Sequence, residues 1–360
     1  MAEIKRRNSR AVSAGGLRIG GGAPLSVQSM TNTDTLDREA TLRQTRALAA
    51  AGCDLVRITV PTPEAARTIA YLKEQGVPVP LVADIHFDYR AALAAIEAGA
   101  DKIRINPGNI GSDDRVRAVA EAAARRRVPI RIGVNAGSLE KHILEKYGAP
   151  TAEALCESAL YHASLLERFD FTDIVLSIKA SSPLVTIEAN RLLAASCPYP
   201  LHIGVTEAGG ERSGLVKSAV GIGTLLAEGI GDTVRVSLTA DPLKEPAAAR
   251  EILSALGLGG PRINVVSCPT CGRTRIDLIP LLERLEAAID EENLRSVPVT
   301  VALMGCAVNG PGEAREADVG AAGGDGDALL FRHGEACGKI PQEEIVPRLI
   351  AEIKALRDKR

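Results

Sequence analysis

Tryptophan is missing from this 360-residue chain, and aromatic residues of all kinds make up 2% of it. Few planar side chains are therefore offered for bases to stack on. An excess of one charge is missing too, since Lys and Arg number 43 against 45 Asp and Glu. That balance gives no electrostatic reason to bind nucleic acid or an anionic membrane. The opening Met1-Ala-Glu-Ile-Lys-Arg-Arg7 lacks the apolar run of a secretory leader, and no later stretch is long and apolar enough to span a bilayer. A cytoplasmic protein is expected, in which the 7 cysteines serve as thiols and ligands rather than disulfides. Two further absences narrow the chemistry. No G-x-G-x-x-G turn follows the first strand pattern, which disfavours a dinucleotide-binding open sheet. No second C-x-x-C and no histidine pair stands near Cys306, where a structural zinc site would want one.

What is present gathers near the C-terminus. Cys268-Pro-Thr-Cys271 is followed by Gly305-Cys306 and then by Asn309-Gly-Pro-Gly-Glu313. A C-x-x-C turn brings two soft thiolates within reach of one metal or cluster, and a third thiol after a hydrophobic strand closes the face. Glu313 is the nearest candidate for a fourth ligand. An oxygen ligand exchanges more readily than a thiolate, which suits an iron that must also meet substrate. The set therefore reads as a catalytic cluster before a structural one. Cys53, Cys156, Cys197 and Cys337 have no second ligand type at metal spacing and are expected to be packing residues.

From about residue 26 to 257, short apolar runs alternate with amphipathic ones, the signature of a parallel sheet. Strands are expected at Ser26 to Met30, Asp54 to Val60, Pro80 to Ala83, Lys102 to Ile105, Pro129 to Val134, Asp173 to Ile178, Leu201 to Val205 and Thr233 to Leu238. Helices are expected at Arg38 to Ala51, and at Glu64 to Glu74 with Thr62 and Pro63 as cap and first residue. Eight such units predict a TIM (β/α)8 barrel over 1–258. Past Gly259-Gly260-Pro261 the pattern changes to a smaller α+β domain over 259–360. Gly221-Ile-Gly223 is expected to serve packing, and Gly323 to Asp327 a tight turn rather than a calcium loop.

Barrel chemistry sits at the carboxyl ends of the strands, and cations are frequent there. Arg57, Arg104, Arg131, Lys179 and Arg235 come from five otherwise apolar strands. A single charge in such a strand is usually a salt-bridged structural residue. Five together predict a polyanion receptor, because guanidinium forks match phosphate oxygens. Asp84, His86, Asn106, Asn135, Thr206, Glu207 and Ser237 share the same rim. Glu207 either caps the following helix or faces the mouth as an acid/base group, and Asp84 is placed to orient His86.

Several stretches together resemble one family over essentially the whole chain. They are Val27-Gln-Ser-Met-Thr-Asn-Thr-Asp34, Ala83-Asp-Ile-His86, Lys102-Ile-Arg-Ile-Asn-Pro-Gly108, Val205-Thr-Glu-Ala-Gly209, Ser267-Cys-Pro-Thr-Cys-Gly-Arg-Thr274 and Met304-Gly-Cys-Ala-Val-Asn-Gly-Pro-Gly-Glu313. The chain is similar to the bacterial 4-hydroxy-3-methylbut-2-enyl diphosphate synthases of the methylerythritol phosphate route to isoprenoids, in their short form. The resemblance implies reductive ring opening of 2-C-methyl-D-erythritol 2,4-cyclodiphosphate, with two electrons taken up and water lost. It implies a 4Fe-4S cluster held by Cys268, Cys271, Cys306 and Glu313, and reduced ferredoxin or flavodoxin as donor. It implies a substrate held by Arg57, Asp84, Arg104, Arg131, Lys179, Thr206, Arg235 and Ser237, with His86, Asn135, Glu207 and Glu313 catalytic. It also points to a homodimer whose barrel and cluster domains pair in trans. The direction of the last barrel helix, away from the mouth, argues the same way. Two other readings are a transferase acting on a pterin diphosphate, with zinc on the cysteines, and a non-catalytic redox or iron sensor.

Overall fold

A computed structural model describes residues 4–306, 312 and 315–358. It falls into two compact units that meet in sequence at Gly259 and Gly260. In the first, β1 (Val12–Ala14) and β2 (Leu17–Ile19) form an antiparallel hairpin. Eight parallel strands follow: β3 (Ser26–Met30), β4 (Leu55–Thr59), β5 (Leu81–Asp84), β6 (Lys102–Ile105), β7 (Ile130–Asn135), β8 (Ile174–Lys179), β9 (His202–Ile203) and β10 (Thr233–Val234). They are ordered β8-β7-β6-β5-β4-β3-β10-β9, and the parallel bridge Leu176↔Leu201 brings the two ends together. The fold is the expected (β/α)8 barrel.

Differences from the expected elements are local. β9 and β10 are shorter than their apolar runs, although the Arg235 N–H still donates to the Ile203 carbonyl at 3.0 Å. A Cβ on Gly204 would lie 2.4 Å from the carbonyl oxygen of Arg235, so only glycine fits there. Lys179 ends β8 rather than following it. The helix expected from Glu64 begins at Ala66. Before it, the Arg67 N–H donates to Glu64 and the Thr68 N–H to Ala65, at 3.0 and 3.1 Å, the spacing of a tighter 3₁₀ turn. Gly221 does serve packing, since a Cβ there would lie 2.6 Å from Val205 Cγ2.

Side chains alternate across a strand, so the barrel interior is built in levels. At the bottom, Leu55, Val82 and Val175 cluster with Val12, Ala14 and Ile19 of the hairpin, which closes the amino-terminal end with apolar surface. Two residues further along β4 and β5, on the same face, stand Arg57 and Asp84. Four residues beyond Val175, along β8, stands Lys179. The interior thus passes from an oily floor to a charged mouth.

The second unit is a five-stranded sheet ordered β11-β12-β13-β14-β15: Asn264–Ser267, Thr300–Met304, Val319–Gly323, Asp327–Arg332 and Glu335–Pro341. The first three strands are parallel and the last two antiparallel. Helices Leu278–Glu291 and Ile345–Asp358 bury Leu281, Leu285, Ile289, Leu349 and Ile353 in one cluster with Val301, Leu303 and Val319 of the sheet. A smaller cluster of Ala302, Met304, Ala317, Ala322 and Phe331 forms separately. The Gly323 to Asp327 segment is a hairpin turn closed by Gly324 N–H to Asp327 carbonyl at 2.7 Å. Cys337 departs from its expected packing role, because it lies exposed on the edge strand β15.

Candidate active site

One cavity of about 110 Å³ opens at the carboxyl ends of the barrel strands, lined by Arg57, Asp84, His86, Arg104, Arg131, Gly133, Asn135, Lys179, Thr206, Arg235 and Ser237. The five cations come from β4, β6, β7, β8 and the segment after β10. Strand alternation delivers them, and glycines make room. A Cβ on Gly133 would lie 2.7 Å from Arg104 Nε, and one on Gly204 would lie 3.0 Å from Lys179 Nζ.

Asp84 is the anionic hub. Its carboxylate meets Arg104 at 3.2 Å and Arg57 at 3.7 Å while 2% exposed. Burial by itself would raise its pKa, but the guanidiniums of Arg57 and Arg104 outweigh that and hold it at about 2. The expectation that Asp84 orients His86 is thereby corrected: no hydrogen bond joins them, and the carboxylate is taken by the two arginines. Arg104 also donates to the Gly133 carbonyl at 3.1 Å. Burial lowers Arg57 to about 10 against the pull of Asp84, and lowers Arg131 and Lys179 strongly, with neighbouring cations adding to the effect. Arg131 Nε and Nη2 have no hydrogen-bond partner among the described residues. Such a cluster is costly without an anion and favourable with one.

Two contributors were not anticipated from the sequence. Glu245, 3% exposed in the helix Lys244–Ala255, accepts from Ser29 Oγ at 2.6 Å, the Leu238 N–H at 3.1 Å and Arg235 Nε at 3.3 Å. It fixes Arg235 from behind, and nothing in its helical context signals that reach. Met30 turns its sulfur to Arg57 Nη2 and Nε, at 2.9 and 3.0 Å. The period of two along β3 was the available signal.

The remaining rim residues are less enclosed. His86 is exposed beside Phe87. Glu207 is exposed, lies next to the cavity residue Thr206, and has a left-handed backbone with φ 52°. Such a conformation is strained for a residue with a Cβ. Glu207 does not cap the helix Glu211–Ala227, whose N-cap is Gly210. Asn106 is buried behind the rim.

The cysteines occupy the second unit. β11 and β12 are parallel neighbours with Ser267 opposite Leu303, so Cys268 and Cys306 both follow the carboxyl ends of adjacent strands. Cys271 is exposed on the intervening turn, where its N–H donates to Thr274 Oγ1 at 3.1 Å. The Gly305 N–H points at Cys268 Sγ at 3.3 Å. Hydrogen bonding from the Arg273 backbone lowers the pKa of the Cys271 thiol. No disulfide joins any of the seven cysteines. Among the described residues no three metal-binding side chains are yet gathered, and Glu313 lies outside them. Three soft donors without a second C-x-x-C or histidine pair fit an iron-sulfur cluster better than structural zinc.

With this geometry established, similarity to known proteins becomes informative. Residues 9–250 match the GcpE TIM-barrel domain and residues 264–355 the GcpE protein C-terminal domain. The chain belongs to the GcpE family. Among GcpE relatives, the 4-hydroxy-3-methylbut-2-en-1-yl diphosphate synthase (flavodoxin) of Ruminiclostridium cellulolyticum is 55% identical over 353 residues, covering 98% of this chain and 99% of that protein. The synthase of the same name from Geobacter sulfurreducens is 55% identical over 354 residues, 98% of each. A type I 3-dehydroquinate dehydratase from Clostridium difficile superposes with a TM-score of 0.51 at 14% identity, over 69% of the GcpE chain and 97% of its own. That last likeness is one of barrel fold alone.

Proposed function

We propose that the protein is an oxidoreductase of isoprenoid precursor synthesis. It opens 2-C-methyl-D-erythritol 2,4-cyclodiphosphate and yields 4-hydroxy-3-methylbut-2-enyl diphosphate. Its relatives of 55% identity are named for formation of that diphosphate with flavodoxin. The observation that carries the reading is the single cavity into which five cations converge from separate strands. The overall change takes up two electrons and two protons per neutral substrate, breaks the carbon–oxygen bond closing the ring, and releases water.

Cys268, Cys271 and Cys306, with Glu313, would hold a 4Fe-4S cluster. When bound it supplies electrons singly and an iron able to accept an oxygen ligand. The chain's own residues do the rest. Arg104, Arg131, Lys179 and Arg235, with Arg57 and the Ser237 hydroxyl, neutralise the diphosphate and hold it in a mouth where donors are already oriented. Asp84 keeps two of those guanidiniums in place. Asn135, Thr206 and His86 supply hydrogen bonds toward the carbon skeleton. Glu207, exposed next to the cavity residue Thr206, would deliver a proton to departing oxygen.

Flavodoxin, the donor in the relatives' names, is the donor we assign, in the cytoplasm, where cysteines stay reduced. No helix among the described residues is long and apolar enough to cross a membrane. The active form we assign is a homodimer with barrel and cluster domains working in trans. Arg250, in the last barrel helix, binds the Gly52 carbonyl and Asp54 just before β4. The chain thus leaves the barrel at the end opposite the mouth, which supports that arrangement.

The test is anaerobic reconstitution, followed by iron and sulfide analysis, absorption spectroscopy and turnover of the cyclic diphosphate with reduced flavodoxin. Bound iron and sulfide with turnover are expected. Zinc in a colourless protein, or an iron-loaded protein without turnover, overturns the reading.

A further inference from the structure

β6 carries a second cation below Arg104 that the mouth does not use. Lys102 lies two residues earlier on the same face, opposite Val82 of the apolar floor. It is 0% exposed, and its Nζ has no hydrogen-bond partner among the described residues. The charges acting on it are Arg131 from β7 and Arg57 from β4, both positive. Burial, and then Lys179, Arg131 and Lys102, disfavour the charged form of His202 on β9. The carboxylates of the interior are committed elsewhere, Asp84 to Arg57 and Arg104, and Glu245 to Arg235, Ser29 and the Leu238 backbone. An ammonium with no acceptor, no water-facing surface and guanidiniums for neighbours cannot be sustained. Burial therefore lowers its pKa far from the ordinary value, and the two guanidiniums lower it further.

We propose that Lys102 is a neutral amine in the free protein and takes a proton from solvent when a diphosphate enters the mouth, so that phosphate binding is proton-linked through a side chain outside the cavity. The proposal rests on the reading of the mouth as a diphosphate receptor. An anion seated on Arg104 and Arg131 stands about 7 Å further along the strand, at 3.3 Å per residue. In the barrel interior its field is little screened by salt. It cancels the repulsion from both guanidiniums and adds an attraction of its own. The amine lone pair then accepts a proton from the buffer, and no bond other than N–H is formed. Lys179 lines the cavity itself, so protonation there would be direct contact chemistry. Lys102 is a positioning residue that acts through the field.

The test is calorimetric titration of the anaerobically reconstituted protein with inorganic diphosphate at about pH 8, in buffers of contrasting ionisation enthalpy. The dependence on buffer reads the protons taken up per site. Wild type is expected to take up more than Lys102→Met, by as much as about one proton. Its affinity is also expected to fall more steeply as pH rises. Equal uptake in the two proteins overturns the proposal while leaving the receptor reading intact. Absence of diphosphate binding by wild type overturns the receptor reading and the proposal with it. Lys102→Gln gives a second neutral side chain should the methionine variant fold poorly. A stability readout is independent of ligand. Where the unfolded chain holds a proton that folded Lys102 does not, stability rises with pH. Both neutral variants should therefore lose that rise, and a slope between about pH 6 and 10 unchanged from wild type overturns the proposal.

Discussion

At the barrel mouth Arg57, Arg104 and Arg235 are each set by a strand-anchored backbone and by a neighbouring group: the Met30 sulfur, Asp84, or Glu245. Beyond the sheet of the second unit, Cys268, Cys271 and Cys306 leave strand ends and a turn, and among the described residues no three-ligand group is assembled. The first site is preorganised by packing, since interior side chains of a closed barrel have nowhere else to go. The second depends on what it binds, because metal affinity is in large part the energy that gathers flexible ligands. The mouth should therefore tolerate the absence of its ligand, while the cysteine site should be ordered by it.

The most severe way to break this contrast is at the cysteines. Cys306→Ser is expected to lose bound iron after reconstitution, and turnover with it, while the exposed Cys337→Ser keeps both. Full iron in the first variant would remove Cys306 from the ligand set. Arg104→Ala should be inactive for the other reason, with its cluster intact. Mixing these two inactive proteins under subunit exchange is expected to restore about half of wild-type activity per mixed dimer, because one composite site is whole. No recovery would show that the domains work within one chain.

Next in size is Glu207→Gln. Loss of a positioned proton donor usually costs about 10²- to 10⁴-fold in rate, so kcat should fall by that order with iron content and absorption unchanged. Normal turnover would remove Glu207 from proton transfer.

A smaller effect, on stability, is expected at the mouth. Asp84→Asn leaves Arg57 and Arg104 facing each other without their counter-ion, at a cost of about 3 kcal/mol, read by denaturant unfolding. The sign with pH follows from the lowered pKa of about 2. The stabilisation is present above the ordinary carboxyl range near pH 4 and is lost as pH falls through about 2. The variant should show a flatter acid limb than wild type across that window.

The mildest probe is Gly133→Ala. Its methyl would arrive 2.7 Å from Arg104 Nε, so the guanidinium must shift within an otherwise intact barrel. Diphosphate affinity is expected to drop about tenfold, the size of one misplaced charge-assisted hydrogen bond. Unchanged affinity would mean that Arg104 does not need its present position.

Much of the architecture was legible in the chain. β3 and β6 run over the expected residues because apolar runs bounded by turn residues mark both ends, and the remaining strands differ mainly at their edges. The helix at Ala66 started later than Thr62 and Pro63 suggested, since a cap signal competes with the local 3₁₀ turn. Arg57, Arg104, Arg131, Lys179 and Arg235 stand out in the sequence as charges in apolar strands, and the closed barrel turns them into one cavity. Lys102 carries the same signal and shares a face with Arg104, but its depth below the mouth is set by the barrel and not by β6 alone.

Sequence by itself determined the fold class, the thiol set and the identity of the cations, because each depends on local pattern: alternation, spacing and side-chain chemistry. Partnership was decided only in the tertiary structure. That Asp84 serves two arginines rather than His86, that Glu245 reaches back from a helix to hold Arg235, and that Lys102 has no acceptor among the described residues all depend on elements far apart in sequence. Barrel closure brings β4, β6 and β10 around one axis. The energy of a buried charge is set by whatever stands across that axis, which no run of neighbouring residues encodes.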